Sequence, residues 1–490
     1  MYFKGINKGG NLMSKKPNIL MYVADQMRSD SLHHLGNEAS VTPNFDKLVE
    51  EGVSFENAYC QNPVCVPSRC SFLTGFYPHT TGHRTMHNLQ REDEENLLKT
   101  MKKNGYEVIW IGRNDVLPKG IDKSDYCDEY FDGDVDLSKA KQGVQITSKE
   151  QLYSFYIGEC EDNPYIQLDW NCIEYLLDYL EKKSNDEDKK PFFIYCTLTF
   201  PHPPYACEKP WYGSIDKSKL PKRRPNLDEC SGKASMLKGI FEKQGIYKWN
   251  EEQMDEVRAT YLAMVSRFDH QFGIVCEQLK KCNFYDSTNI LVFSDHGDYT
   301  TDYGIAEKVQ NCFEDTVSNV PFIIKPSKDY KVSPRISNAL VELLDIPATV
   351  CEMANIELGY TQFGKSLLPV IAEEMEHKDA VFCEGGRLHG EVQAMEKGHG
   401  VYSPYWPRLS TQASEGPEHT KACMIRMGNY KYIMRLYEED EFYDLDVDPM
   451  ETKNCIHEDV YQEKIMHMKM RLLTHYMETS DCVPINQDKR

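Results

Sequence analysis

Asn18-Ile19-Leu20-Met21-Tyr22-Val23-Ala24, followed at once by Asp25-Gln26, is an almost unbroken apolar run that stops in two polar side chains. Such a run suits a strand buried on both faces, as in parallel sheets covered by helices. The pattern recurs. Val108-Ile109-Trp110-Ile111 leads into Gly112-Arg113-Asn114-Asp115, Pro191 to Thr199 leads into Phe200-Pro201-His202, and Asn289 to Ser294 leads into Asp295-His296. In open α/β sheets, ligands sit outside the carboxyl ends of strands, so these polar endings are candidates for chemistry. Asp25 is a candidate metal ligand or a turn cap. Asp295 and His296, after a strand parallel to the first, can converge with Asp25 and Gln26 on one divalent ion.

The segments between the strands read as helices. Thr42-Pro43 predicts a capping threonine with proline at the first position, and Phe45, Leu48 and Val49 form the inner face. Leu97, Leu98 and Met101 mark a helix that stops at Gly105. From Glu251, apolar residues from Val257 to Leu279 recur at three- and four-residue steps, which predicts a long core helix. Asp269 and His270 on that helix read as a solvated or packing pair. Residues 206–250 read as a polar, irregular insertion on the substrate side. Beyond about residue 375 short strands and turns precede a helix from about Asp459. The expected fold is α/β: a large, mostly parallel sheet sandwiched by helices, with a small C-terminal α+β subdomain. The expected boundaries are a leader at 1–15, a catalytic domain at 16–375 and the antiparallel subdomain at 376–490.

The chain also contains Asn62-Pro63-Val64-Cys65-Val66-Pro67-Ser68-Arg69-Cys70-Ser71-Phe72-Leu73-Thr74-Gly75. Pro67 suits the first turn of a helix and Gly75 its cap, so Cys65 is expected at a helix N-terminus, where negative charge is stabilised. Arg69, one turn on, can aim its fork of donors at the same spot. The 490 residues carry a formal charge of −21, which excludes a general nucleic-acid binder and requires any pocket for an anionic ester to be locally positive. Seventeen cysteines, an odd number scattered from Cys60 to Cys482, do not form a disulfide framework and point to a reducing compartment. Lys4 and Lys8 are not followed by a signal-length apolar run, and no stretch of about eighteen apolar residues occurs. A cytoplasmic protein without a membrane span is expected.

Cys65, Pro67, Ser68 and Arg69 followed by Leu73-Thr74-Gly75 match the C-x-P-S-R signature of the sulfatase family, and the chain resembles that family from about Lys16 to Asn454. The resemblance implies an alkaline phosphatase-like fold and conversion of Cys65 to formylglycine by a separate maturating enzyme. It implies a metal site of Asp25, Gln26, Cys65, Asp295 and His296, with calcium the commoner ion and magnesium or manganese allowed by the oxygen-rich set. Arg69, His202 and Lys308 would handle the sulfate, His202 as general acid. The formylglycine hydrate would attack sulfur in line, and the resulting half-ester would eliminate sulfate. Many sulfatases have Gly-Lys-x-His where this chain has Gly112-Arg113-Asn114-Asp115. Arg113 keeps the charge, while Asp115 replaces an imidazole with a carboxylate that can act as base.

The expected substrate is a small-molecule or oligosaccharide sulfate ester. His83, Arg84 and Asn88 could line an anion pocket. Arg387 and His389, with Tyr402, Tyr405 and Trp406, sit in a loop suited to selecting an anionic sugar or ring. The alternative enzyme is a phosphonate monoester or phosphodiester hydrolase of the same superfamily, which resembles this chain in the Asp25-Gln26 start and in His83-Arg84 with Asn88. The alternative of another class is a non-catalytic anion-binding homologue.

Overall fold

The computed structural model describes residues 16–140, 152–188, 190–396 and 398–485. The expected leader at 1–15 lies outside them. The strands in chain order are β1 (Asn18–Asp25), β2 (Val53–Tyr59), β3 (Glu107–Gly112), β4 (Glu129–Phe131), β5 (Tyr156–Glu159), β6 (Phe192–Pro201) and β7 (Tyr205–Cys207). They continue as β8 (Thr288–Ser294), β9 (Phe322–Lys325), β10 (Arg335–Glu342), β11 (Val381–Gly385), β12 (Ala422–Met427), β13 (Tyr430–Arg435) and β14 (Glu441–Asp444).

Eight strands form one sheet in the order β10-β2-β9-β8-β1-β6-β3-β4, in which only β9 runs antiparallel to its neighbours. The alternation along β1 explains the sandwich. Ile19, Met21 and Val23 enter one apolar core, while Leu20, Tyr22 and Ala24 enter the other. The first core is covered by the helices Cys65–Thr74, Leu97–Lys103 and Ile346–Ala354, the second by Pro43–Val49, Pro164–Ser184 and Glu251–Lys281. Each fully buried aliphatic or aromatic side chain of such a strand contributes about 1.5–3 kcal/mol, so a strand buried on both faces needs the unbroken apolar run seen in the sequence. A second, antiparallel sheet, β11-β12-β13-β14, packs Phe382, Ile425, Tyr432 and Phe442 against the helix Gln462–Thr479. Its other face, with Val381, Cys383, Met424 and Ile433, shares the first core of the large sheet.

Three expectations are corrected. Thr42 does not cap its helix; its hydroxyl accepts from His33 N. Pro43 has no N–H, so the first free donors are Asn44 N and Phe45 N, and both bond to Asp269 on the Glu251–Lys281 helix. Asp269 is therefore a buried cap supplied from another helix, while His270 alone is exposed. Residues 206–250 are not an irregular insertion. They contain the helix Ser235–Gln244, whose Met236, Leu237, Ile240 and Phe241 pack with Tyr299 and Tyr303. Arg223 and Arg224 in this stretch are spent on Glu251, Asp30 and Asp302. Among the described residues no helix is long and apolar enough to cross a membrane, and all seventeen cysteines are free thiols.

The carboxyl ends of β8, β1, β6 and β3, four adjacent parallel strands, share one edge. There β3 closes on Gly112 at φ +93°, where a Cβ would lie 1.9 Å from Thr197 O. We expect Gly112→Ala to destabilise the protein by roughly 3 kcal/mol or more, because a left-handed backbone and a backbone clash coincide. An unchanged urea midpoint would contradict this account of the edge.

Candidate active site

Asp25 ends β1, Asp295 and His296 follow β8, His202 follows β6 and Arg113 follows β3, so the parallel register alone gathers these groups at one edge. Cys65 arrives from β2 as the first residue of the Cys65–Thr74 helix, after Val64 in extended conformation. All ten residues of this helix are buried, and Gly75 closes it at φ +77°.

Cys65, Asp25, Asp295 and His296 bring one donor atom each to within 4.8 Å of one another. Cys65 Sγ lies 3.2 Å from His296 Nε2 and 3.6 Å from Asp25 Oδ1. His296 Nε2 lies 3.8 Å from Asp25 Oδ1 and 3.7 Å from Asp295 Oδ1. The surrounding groups aim these donors. Arg69 donates through Nη2 to Asp25 Oδ2 at 3.0 Å and through Nε to Asp295 Oδ2 at 2.9 Å, while Asp295 Oδ1 accepts from Gln26 N and His296 N. His296 Nδ1 donates to Gly297 O at 2.9 Å, so Nε2 is the free lone pair. Burial opposes the charge of Asp25, but His202, Arg69, Arg113 and Lys308 outweigh it and hold the carboxyl well below the usual range. Burial, then the charge of Asp25, pushes the Cys65 thiol well up.

Lys308 Nζ donates to Gln26 Oε1 at 2.7 Å and lies 3.1 Å from His202 Nε2. His202 Nδ1 donates to Pro203 O at 2.6 Å, so Nε2 accepts from the ammonium. Burial, then the Lys308 charge, holds this imidazole well below its ordinary value. Of the five expected metal ligands, Gln26 is the one turned away: its oxygen receives Lys308 and its amide donates to Asp298. Arg113 reaches Asp25 at 3.4 Å and Asp115 at 3.3 Å, so these two residues stand together beside the cluster.

The five expected substrate contacts are not brought to this cluster. His83 bonds Asn88 O and Glu94, Asn88 accepts from Thr85, and Arg84 bonds Gly386 O and Glu391. Arg387 is buried and gives its donors to the carbonyls of Gln412 and Ser414 at the end of the Trp406–Gln412 helix, where carbonyls lack helical partners. His389 is exposed and stacks on Tyr437.

Other residues do reach the site. Asp298 accepts from Gln26 and Tyr205, and Tyr205 Oη accepts from Glu307 N. The Glu307 carboxylate lies 3.3 Å from Lys308 Nζ and 3.1 Å from Arg408 Nε, and Arg408 also pairs with Glu396. Asp298, Tyr205 and Glu307 each stand within three residues of a residue the sequence singled out, which was the available signal. Arg408 had none.

Comparisons with known proteins identify the family and the fold. The family model described as Sulfatase matches residues 17–356. An arylsulfatase from Clostridium perfringens is 26% identical over 494 residues, covering 94% of each chain. The phosphonate monoester hydrolase of Agrobacterium radiobacter superposes with a TM-score of 0.76 at 20% identity, covering 95% of this chain and 96% of the other. A further structure, solved with its substrate D-glucosamine-2-N,6-O-disulfate, gives 0.70 at 18% identity over 95% and 98%.

The His202–Lys308 contact makes a prediction of definite sign. Lys308→Met removes a positive charge 3.1 Å from Nε2, so the His202 pKa rises. Histidine NMR titration, with the resonance assigned through His202→Gln, measures it; an unmoved or lowered value would show that Lys308 does not govern this imidazole.

Proposed function

Because this chain belongs to the sulfatase family and is an enzyme that hydrolyses sulfate esters, we propose that it works at Cys65, converted to formylglycine by a separate maturating enzyme. Asp25, Asp295 and His296, with the converted side chain, would hold a divalent ion, calcium ahead of magnesium or manganese. The donors fit such an ion: two carboxylates already oriented by Arg69 and one imidazole with a fixed tautomer converge on a buried point. When present, the ion supplies positive charge to the transferring anion and the aldehyde hydrate supplies the attacking oxygen.

The chain's own residues do the rest. Arg69 holds the two aspartates, while Lys308 and Arg113 place fixed positive charge where the sulfate must sit. His202 can exchange a proton only at Nε2, because Nδ1 is pinned on Pro203 O. The proton given to the leaving oxygen would be carried at that Nε2, which faces Lys308 at 3.1 Å. Asp115, paired with Arg113, would serve as base when sulfate leaves. The carrying observation is the convergence of Cys65, at a helix N-terminus, on two aspartates and a histidine.

A carbohydrate sulfate is the substrate class we favour. The wall beside Lys308 offers Tyr405, half-buried against Phe155, and the charged Glu307, Arg408 and Glu396, a surface suited to hydroxyl groups. The substrate named for the disulfated-glucosamine structure points the same way. The phosphonate monoester alternative rests on the Agrobacterium structure and on Asp25-Gln26. Seventeen free thiols favour the cytoplasm.

The test is a mass measurement on the Cys65 peptide from active protein made in its native host. Conversion of CH2SH to CHO lowers the mass by about 18 Da, and Cys65→Ala should lose at least about 1,000-fold in sulfate-ester turnover. Active protein with an unmodified thiol would sink the formylglycine reading. Higher kcat/KM on a phosphonate monoester than on the matched sulfate would favour the alternative.

A further inference from the structure

Lys308 has more donors than partners. Its Nζ gives one N–H to Gln26 Oε1 at 2.7 Å and one to His202 Nε2 at 3.1 Å, and the third has no acceptor in hydrogen-bond geometry among the described residues. The nearest anion is the carboxylate of its own neighbour, Glu307. Its Oε1 lies 3.3 Å from Nζ and has no hydrogen-bond partner among the described residues. The Glu307 backbone is pinned on both sides, because Tyr205 Oη accepts from its N and Tyr299 N donates to its O. Only the side chain is free to choose between cations. The competing cation is Arg408, whose Nε stands 3.1 Å from Glu307 Oε2. Arg408 is in turn fixed through Nη1 by Glu396 at 3.4 Å, and Glu396 accepts from Met86 N at 3.1 Å and from Gln310 Nε2.

We propose that Arg408 is a positioning residue for Lys308: by engaging Glu307 it keeps the third N–H of the ammonium free for an oxygen of the sulfate group. The inference rests on the sulfate-ester reading above. Lys308, Glu307, Arg408 and Glu396 are all buried, and their two positive and two negative charges balance. Without Arg408 one negative charge is left over beside a group that must attract an anion, and Lys308 becomes the cation nearest to Glu307. The carboxylate then takes the free N–H, and the ammonium is drawn from the pocket into an internal ion pair. Arg408 itself is already shared between two carboxylates, so its charge has little left to offer an anion directly. Its effect on the ester is routed through Glu307.

The experiment is a double-mutant cycle of Arg408→Met and Glu307→Gln on full-length, metal-loaded protein. Inorganic sulfate is the probe, measured by calorimetry and as a competitive inhibitor. Arg408→Met should weaken sulfate binding by at least about 10-fold in the wild-type background and by less than about 3-fold in the Glu307→Gln background. The same coupling is expected in kcat/KM for a sulfate ester. Additive losses would show that Arg408 meets the anion directly or only supports the fold, and would overturn the proposal. So would an Arg408→Met protein that binds sulfate as the wild type does. Should Arg408→Met not fold, Arg408→Lys keeps one charge without the fork that spans Glu307 and Glu396, and the same cycle reads it. A wild type without sulfate-ester turnover would overturn the functional reading and this inference with it; an additive cycle in an active wild type overturns this inference alone.

Discussion

The site depends on one buried fork, the Arg69 guanidinium between Asp25 and Asp295. All three side chains are fully buried, and a pair of that kind recovers its desolvation cost only when geometry and further hydrogen bonds are good. Here they are. Asp295 Oδ1 also accepts from Gln26 N and His296 N, and Ser68 Oγ holds Asp295 O at 2.6 Å. Removing one partner would leave a carboxylate or a guanidinium unpaired in the core, a loss of about 3–5 kcal/mol. Because Arg69 stands one turn beyond Cys65, the same contact fixes the Cys65 helix against the ends of β1 and β8. The position of Cys65 and the orientation of the two aspartates are thus a single mechanical fact.

The loops beyond the fork carry backbone strain. Gln26, Thr300, Thr301, Tyr303 and Glu307 all have positive φ, between 45° and 72°. Conformations of this kind in non-glycine residues cost on the order of 1–3 kcal/mol each and persist only where neighbours over-determine them. The neighbours are visible. Tyr261 Oη donates to Gln26 O, Asp298 accepts from Thr300 N, and Tyr205 with Tyr299 N brackets the Glu307 backbone. The strain places Gln26 and Lys308 face to face across the pocket instead of along the chain.

Much of this was legible in the sequence for one reason: burial on both faces forces unbroken apolar runs, and the residues that end them must be polar. Asp25, Arg113, His202 and Asp295-His296 were found that way, and the large sheet with them. Residues whose partners are remote were not legible. Asp269 caps a helix 225 residues away, a relation no local pattern encodes. Arg387 looked like a ligand because an arginine beside aromatics often is one, yet the carbonyls ending the Trp406–Gln412 helix hold its donors. Gln26 was read as a ligand from its place after Asp25; its positive φ, invisible in sequence, turns it toward Lys308 and Asp298.

The same distinction separates chemistry from selectivity in this molecule. The clustered donors sit on strand ends and a helix start within one sheet, where register fixes them. Arg408 and Tyr405 reach the pocket from a segment whose placement depends on the seam between the two sheets. Asn62 donates to Glu384 O, Glu384 N to Gln61 O, and Lys431 joins Asp315 to Glu451 in a buried chain of charges across that seam. Glu307 then ties Arg408 to Lys308, so the segment carrying Arg408 is electrostatically coupled to the lysine that contacts Gln26 and His202. A change in the C-terminal segment can therefore reach Lys308 through Glu307 without touching the fork. A change in the fork cannot leave either function intact, because Arg69 holds the edge from which both are suspended.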